Sequence, residues 1–280
     1  MRDSVIGLVG IDVDGTLVGT GGIVHPSVWI AAERARGFGI HLALCSGRGA
    51  FGTALDYAKR LDSTGWHIFQ NGASVLHLGT GRSRSIPLPP DCIKMLIAQA
   101  RRTGETLELY NDKTYVTEST TEWAREHAQL LGVPYAHRPF DSLEPPIVRA
   151  QWLLSPRRAD EFMSVRHPGL EAAESTSPLM PQTRFVGMTT AGVSKGSAMR
   201  SIASEYNIKL QNVMYVGDAG NDLSALRIVG HPVAMANADP AVIEAAKHTV
   251  GDVNQGGLAQ ALELAVAAGA RSAMLPMEQP

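Results

Sequence analysis

Two carboxylates stand two residues apart in the segment Asp12-Val13-Asp14-Gly15-Thr16-Leu17. If the chain stays extended through Val13, its period of two puts both acids on one side. Carboxylates that close repel one another unless a cation or a shared proton relieves them. One of them, Asp12, is placed to attack phosphorus and form an aspartyl-phosphate, splitting a hard hydrolysis into two easier steps. The other, Asp14, can protonate the leaving alkoxide and later activate water. Gly217-Asp218-Ala219-Gly220-Asn221-Asp222 adds two more acids. Asp218 and Asp222, with Asp12, offer hard oxygen ligands suited to Mg²⁺, and Asn221 offers an amide to a phosphate oxygen. Ser46 and the backbone of Gly47 fall between a strand and a helix, where N–H groups and the helix dipole favour an anion. Lys195 opens a later helix as a point cation for phosphate charge. Singly, each has a plainer reading: an acidic turn at 12–14, a helix cap at Ser46, a solvated helix-end lysine, an ordinary Gly-Asp turn.

The elements that must position these groups are legible too. Val5 to Ile11 is apolar without alternation, which reads as a strand covered on both faces at the centre of a parallel sheet. Ligands bind at the carboxyl end of such strands. A helix over Ser27 to Arg36, a strand over His41 to Cys45, a helix over Ala50 to Leu61 and a strand over His67 to Gln70 follow, a parallel βαβ order. Asn71-Gly72 signals a turn, and Ala73 to Ile86 a hairpin. The rhythm changes at Pro87-Leu88-Pro89-Pro90, after which paired strands alternate with helices as far as Met188. That pattern predicts an antiparallel α+β insertion. The βαβ rhythm returns with a helix over Ser194 to Tyr206, a strand over Val213 to Val216, and shorter units ending in an Ala-rich helix over Leu258 to Ala268. The reading is an α/β protein: a Rossmann-like, doubly wound core over 1–83 and 189–270, an α+β cap over 84–188, and a loose tail over 271–280.

Composition narrows the function. A formal charge of -2 with no run of Lys or Arg argues against a nucleic-acid surface. Two cysteines, Cys45 and Cys92, without metal or disulfide spacing suit a reducing, cytoplasmic setting. The amino-terminal run is too short for a signal peptide, and no stretch approaches the roughly 18 apolar residues of a membrane span. An EF-hand fails because Gly15 comes too early and position 23 is Ile. No GxGxxG fingerprint follows a strand. The expected partner is a small phosphorylated metabolite bound to a monomer or small homo-oligomer.

Taken together and in order, the motifs resemble those of the haloacid dehalogenase-like phosphohydrolases. Asp12 to Leu17 looks like the family's nucleophile motif, Ser46-Gly47-Arg48 its phosphate-binding motif, Val193-Ser194-Lys195-Gly196 its lysine motif and Gly217 to Asp222 its acidic metal motif. With Asn71-Gly72-Ala73 ahead of the insertion, the match is to the Cof-type branch, subfamily IIB, whose members commonly hydrolyse small phosphate esters, often of sugars. The resemblance implies Mg²⁺ bound also by the Asp14 backbone carbonyl, phosphate contacted by the Val13 amide, and a cap that closes over the site. Arg48 and Asn71, in motif positions, and Asn111, Lys113, Gln151 and Arg184, polar residues on expected cap strands, are the candidates for contacting substrate. The alternatives are a phosphohexomutase of the same superfamily, which needs strong basic anchoring from residues such as Arg149, Arg157, Arg158 and Arg184, or a catalytically silent sugar-phosphate sensor.

Overall fold

The computed structural model describes residues 5–177 and 179–273. In the amino-terminal part the chain forms β1 (Leu8–Ile11), α1 (Pro26–Gly37), β2 (His41–Leu44), α2 (Gly52–Leu61), β3 (Trp66–Phe69), β4 (Ser74–His77) and β5 (Ser83–Ser85). The inserted segment gives α3 (Pro90–Thr103), β6 (Thr106–Tyr110), β7 (Tyr115–Thr117), α4 (Glu122–Leu131), β8 (Arg149–Leu154), α5 (Pro156–Met163), β9 (Leu170–Ser175) and β10 (Arg184–Thr190). The chain then adds α6 (Lys195–Glu205), β11 (Val213–Gly217), α7 (Leu223–Leu226), β12 (His231–Met235), α8 (Pro240–Ala245), β13 (His248–Val250) and α9 (Gly257–Ala273). The closing helix therefore continues past the expected start of a tail, and residues 274–280 lie outside the described residues.

The first sheet has the order β13-β12-β11-β1-β2, with every pairing parallel. Side chains of β1 split by parity. Val9 and Ile11 enter one apolar layer with α1, α2 and α9, while Leu8 enters the other with α6, α7 and α8. All four β1 residues are buried, as the lack of alternation requires of a strand covered on both faces. β3 departs from the expectation of a third strand continuing the parallel βαβ order. It touches the end of β2 through a single parallel bridge, Cys45 to Ile68, and belongs to an antiparallel sheet β3-β4-β5. The Gln70–Asn71 turn, with both residues at positive φ, folds the chain back too tightly for a crossover.

The inserted segment builds an antiparallel sheet of order β7-β6-β8-β10-β9. Its last strand runs to Thr190, two residues past the expected boundary at 188. Parity again separates the faces. Leu107, Leu109, Ala150, Trp152, Val186 and Met188 pack beneath α3 and α5. Glu108, Tyr110, Arg149 and Gln151 occupy the opposite face, buried all the same. That polar face meets α4 and the carboxyl ends of the first sheet. No helix among the described residues is long and apolar enough to cross a membrane.

Candidate active site

Asp12 follows the end of β1, its amide still donating to Val216 O of β11 (3.1 Å). The neighbouring strand β11 ends at Asp218, and α6 delivers Lys195 at its first residue, the helix being capped by Ser194 Oγ on Ser197 N–H. These three ends converge. Lys195 Nζ donates to Asp12 Oδ1 at 2.5 Å and to Asp222 Oδ1 at 2.7 Å. Tyr215 O–H also donates to Asp222 Oδ1 (2.7 Å), and the amides of Asp218 and Ala219 both reach Asp222 Oδ2 at 3.0 Å. Asp222 is thus wholly buried and each of its oxygens carries two hydrogen bonds. Thr16 O–H donates to Asp218 Oδ1 at 2.7 Å. Gly15 has φ +89°, and a Cβ there would lie 2.1 Å from Asp218 Oδ2, so this turn requires glycine on both conformation and space.

Asp12, Asp218 and Asp222 each offer a carboxylate oxygen within 4.8 Å of the others. Three acids share one ammonium in a buried place, so charge is left over. Burial and the neighbouring Asp222 push Asp12 up to about 7, against the opposing pull of Lys195. Burial and Asp12 push Asp218 up as well. Conversely, the attraction of Asp12 and Asp222 outweighs desolvation and holds the Lys195 proton above its ordinary range. Hard oxygen donors in excess of local cations form the donor set that suits Mg²⁺.

Asp14 faces the same cleft, but its partner is unexpected. Arg48 forks onto it, Nε to Oδ2 at 2.9 Å and Nη2 to Oδ1 at 2.5 Å, so the guanidinium proposed for substrate is engaged by a neighbouring acid. Arg48 Nη1 reaches Thr53 Oγ1 (2.8 Å) and the Leu130 carbonyl (3.2 Å) at the carboxyl end of α4, where a helix welcomes positive charge. Ser46 Oγ accepts the Arg48 amide at 3.0 Å and keeps its own hydrogen to donate. The dipole argument for Ser46 and Gly47 does not hold, because α2 begins only at Gly52; an anion there would meet loop amides instead. Val13 is buried in the layer beneath. Asn221 Nδ2 donates to Asn71 Oδ1 (3.2 Å), and Asn221 Oδ1 is buried without a partner among the described residues.

The cleft lies between Asp12, Asp14, Gly47 and Asn221 on one side and residues of the inserted segment on the other. Of the four polar candidates on that segment, Gln151 lines it. Asn111 does not: it organises the β6–β7 turn, accepting the amides of Lys113 and Thr114 and donating to Glu144 O. Lys113 is exposed on that turn. Arg184 pairs with Glu174 at 3.1 Å, on the parity of Val186 and Met188, whereas Phe185 reaches the cleft. Residues that the sequence did not single out for the cleft are His127, Ser175 and Ser177, and Arg149, named there only as an anchor for the mutase alternative, lines it as well. The signal for Arg149 was present in β8, Arg-Ala-Gln-Trp-Leu-Leu, where two polar residues at alternate positions interrupt a buried strand.

The family model for haloacid dehalogenase-like hydrolases matches residues 9–262. YxeH of Bacillus subtilis (strain 168), provisionally named a phosphatase, is 27% identical over 260 residues, covering 91% of this chain and 96% of its own. The 5-amino-6-(5-phospho-D-ribitylamino)uracil phosphatase YcsE of the same organism is 23% identical over 262 residues, covering 93% and 96%. Among solved structures, the subclass IIB sugar phosphatase BT4131 superposes with TM-score 0.80 at 22% identity, covering 92% of this chain and 98% of its own.

Proposed function

The chain belongs to the haloacid dehalogenase-like hydrolases and is a phosphatase of their Cof-type branch; from that premise we propose that it is a Mg²⁺-dependent hydrolase of small phosphate monoesters, sugar phosphates among them, working through an aspartyl-phosphate. The observation that carries this reading is the convergence of Asp12, Asp218 and Lys195 at the ends of three elements, with Asp14 lining the same cleft as Asp12. Asp12 attacks phosphorus while Asp14 gives a proton to the departing ester oxygen. Asp14, now ionised, takes a proton from water, and the hydroxide displaces Asp12 and frees inorganic phosphate. Both Asp14 oxygens rest on Arg48, so part of that fork opens when substrate arrives. Lys195 orients Asp12, and its third N–H remains for a phosphoryl oxygen. Ser46, Gly47, Asn221 and the Val13 amide hold the other phosphoryl oxygens.

Asp12, Asp218 and the Asp14 carbonyl would hold the ion. Bound there, Mg²⁺ supplies charge neutralisation between an anionic nucleophile and an anionic phosphate. Asp222 reaches the same centre, but its four hydrogen bonds assign it to orienting Lys195 and the Asp218 loop. Residues 84–188 act as the cap, reading the leaving group and excluding water. The kinship to a sugar phosphatase and to a ribitylaminouracil phosphatase supports a polyol or sugar leaving group. A mutase is not favoured, since of its four candidate anchors Arg157 and Arg158 are exposed on Glu161 and Glu105 and Arg184 is paired with Glu174, which leaves Arg149 alone in the cleft. A silent sensor is not favoured either, because every acid is present.

The test is release of inorganic phosphate from a panel of esters with Mg²⁺, comparing wild type with Asp12→Asn. Turnover of the variant should fall at least about a thousandfold, the covalent route being gone. A variant that keeps most of its turnover would remove Asp12 from the nucleophile role.

A further inference from the structure

Arg149 is 1% exposed, on the polar face of the inserted sheet and in the wall of the cleft opposite Asp12. Its surroundings fix it from three sides. Nε donates to Gln70 Oε1 at 2.6 Å, Nη1 donates to Gln151 Oε1, and the guanidinium carbon lies 3.9 Å from the centre of the Tyr110 ring. Nη2 has no partner among the described residues. The acceptors it does have are neutral amides. The nearest acid, Glu108, is taken by the Tyr110 hydroxyl and by His127 Nδ1 (2.8 Å) and does not itself line the cleft. On its other side the His127 ring meets Gln151, Nε2 to Nε2 at 3.4 Å. Among the described residues that the inserted segment contributes to the cleft, Arg149 is therefore the one fixed charge.

A buried cation is costly unless an anion compensates it, and a buried donor left unmet adds to the cost. Here Glu108 bears on the guanidinium only through space, its oxygens being taken by Tyr110 and His127, and one donor, Nη2, stays buried and unmet among the described residues in a side chain that lines the cleft. The planar fork is preorganised by Gln70, Gln151 and Tyr110, so little ordering remains when an oxygen pair docks on it. We propose that Arg149 Nη2 receives an anionic oxygen on the leaving group, a carboxylate or a second phosphoryl group, and so selects acidic phosphate esters over neutral ones of the same size. This rests on the phosphatase reading above. A sugar hydroxyl would satisfy the donor but add no negative charge to that of Glu108, just as the two glutamines add none.

Matched esters test it. Glycerol 3-phosphate against 3-phosphoglycerate adds a carboxylate, and fructose 6-phosphate against fructose 1,6-bisphosphate adds a second phosphoryl group; p-nitrophenyl phosphate monitors chemistry alone. Wild type should prefer the acidic member of at least one pair by about tenfold or more in kcat/KM, and the pair identifies which anion is read. In Arg149→Gln that acidic-over-neutral ratio should fall about ten- to a hundredfold, the scale of one or two hydrogen bonds to a charged group, chiefly through KM. Arg149→Lys, which keeps charge without the fork, should fall between. A wild type that favours the neutral member of both pairs overturns the proposal, and this arm needs no variant to fold. So does a variant that lowers acidic and neutral esters alike, which would place the guanidinium on the transferred phosphoryl group. Hydrolysis of p-nitrophenyl phosphate separates these outcomes from failure of the phosphatase reading itself: with no ester hydrolysed, both fall.

Discussion

Two buried cations serve the cleft, Arg149 in its wall and Lys195 behind Asp12, and they are built on opposite terms. Lys195, 1% exposed, rests between two carboxylates at 2.5 and 2.7 Å. Arg149, equally buried, rests on two amide oxygens and a ring face. The charge of the first is spent inside the protein, on the machinery that any phosphate ester must meet. The charge of the second is left for whatever enters. The core side is thus electrically complete except for a metal and a phosphate, and the inserted side is complete only with a leaving group of its choosing.

The comparison predicts unequal costs of removal. In the absence of metal at pH 8, Lys195→Met should destabilise the protein by about 3–5 kcal/mol, since it strands buried carboxylates. Arg149→Met should cost less than about 2 kcal/mol, because removing a cation that makes no direct contact with a carboxylate offsets the two acceptors it abandons. Urea titrations of both variants decide it, and an equal or reversed order would break the contrast.

A smaller effect concerns Mg²⁺ and pH. Asp12 is raised to about 7 and Asp218 is raised with it, so between the ordinary carboxylate value and about pH 7 the folded state holds more protons than the unfolded one. On this account the metal-free protein loses stability as pH rises through that window. Added Mg²⁺, needing the ionised carboxylates, should raise the melting temperature by several degrees at pH 8 and much less at pH 6. Asp218→Asn should abolish the difference. A metal shift that is the same at both pH values would mean that the carboxylates are not its ligands.

Smallest of all should be the exposed ion pairs. Glu161 accepts from Arg157 and Arg158 at the surface, where water screens the charges. Glu161→Gln should leave turnover unchanged and the urea midpoint within the equivalent of about 0.5 kcal/mol. A larger loss would show that position outside the cleft does not separate idle charges from working ones.

How much of this was legible follows the same division. Asp12, Asp14, Ser46, Lys195, Asp218 and Asp222 sit at ends of elements, where a short stretch of sequence reveals both the element and the chemistry. Even there the partnerships escaped, because the fork of Arg48 on Asp14 depends on a loop geometry that no local pattern encodes, and the start of α2 at Gly52 moved the helix dipole away from Ser46. On the inserted sheet, polarity alone chose Asn111, Lys113 and Arg184, and each is explained by a turn or a surface pair. Parity was the better guide: Arg149 and Gln151 share the face opposite Ala150 and Trp152. What parity could not supply is the contact to Gln70, which joins segments 79 residues apart in sequence.

The place of β1 between β2 and β11 also bears on how the chain comes into being. On a ribosome, the edge of β1 that pairs with β2 is satisfied early, but the other waits for β11, which begins roughly 170 residues later. At synthesis rates of about 5–20 residues per second, that edge stays open for on the order of ten to thirty seconds. A fully apolar strand with an open edge is a template for another chain. The nascent protein therefore carries its greatest aggregation hazard beside its future nucleophile. Arrival of β11 removes the hazard and delivers Asp218 in the same stroke, so a chain cut short of Val213 is sticky rather than partly active.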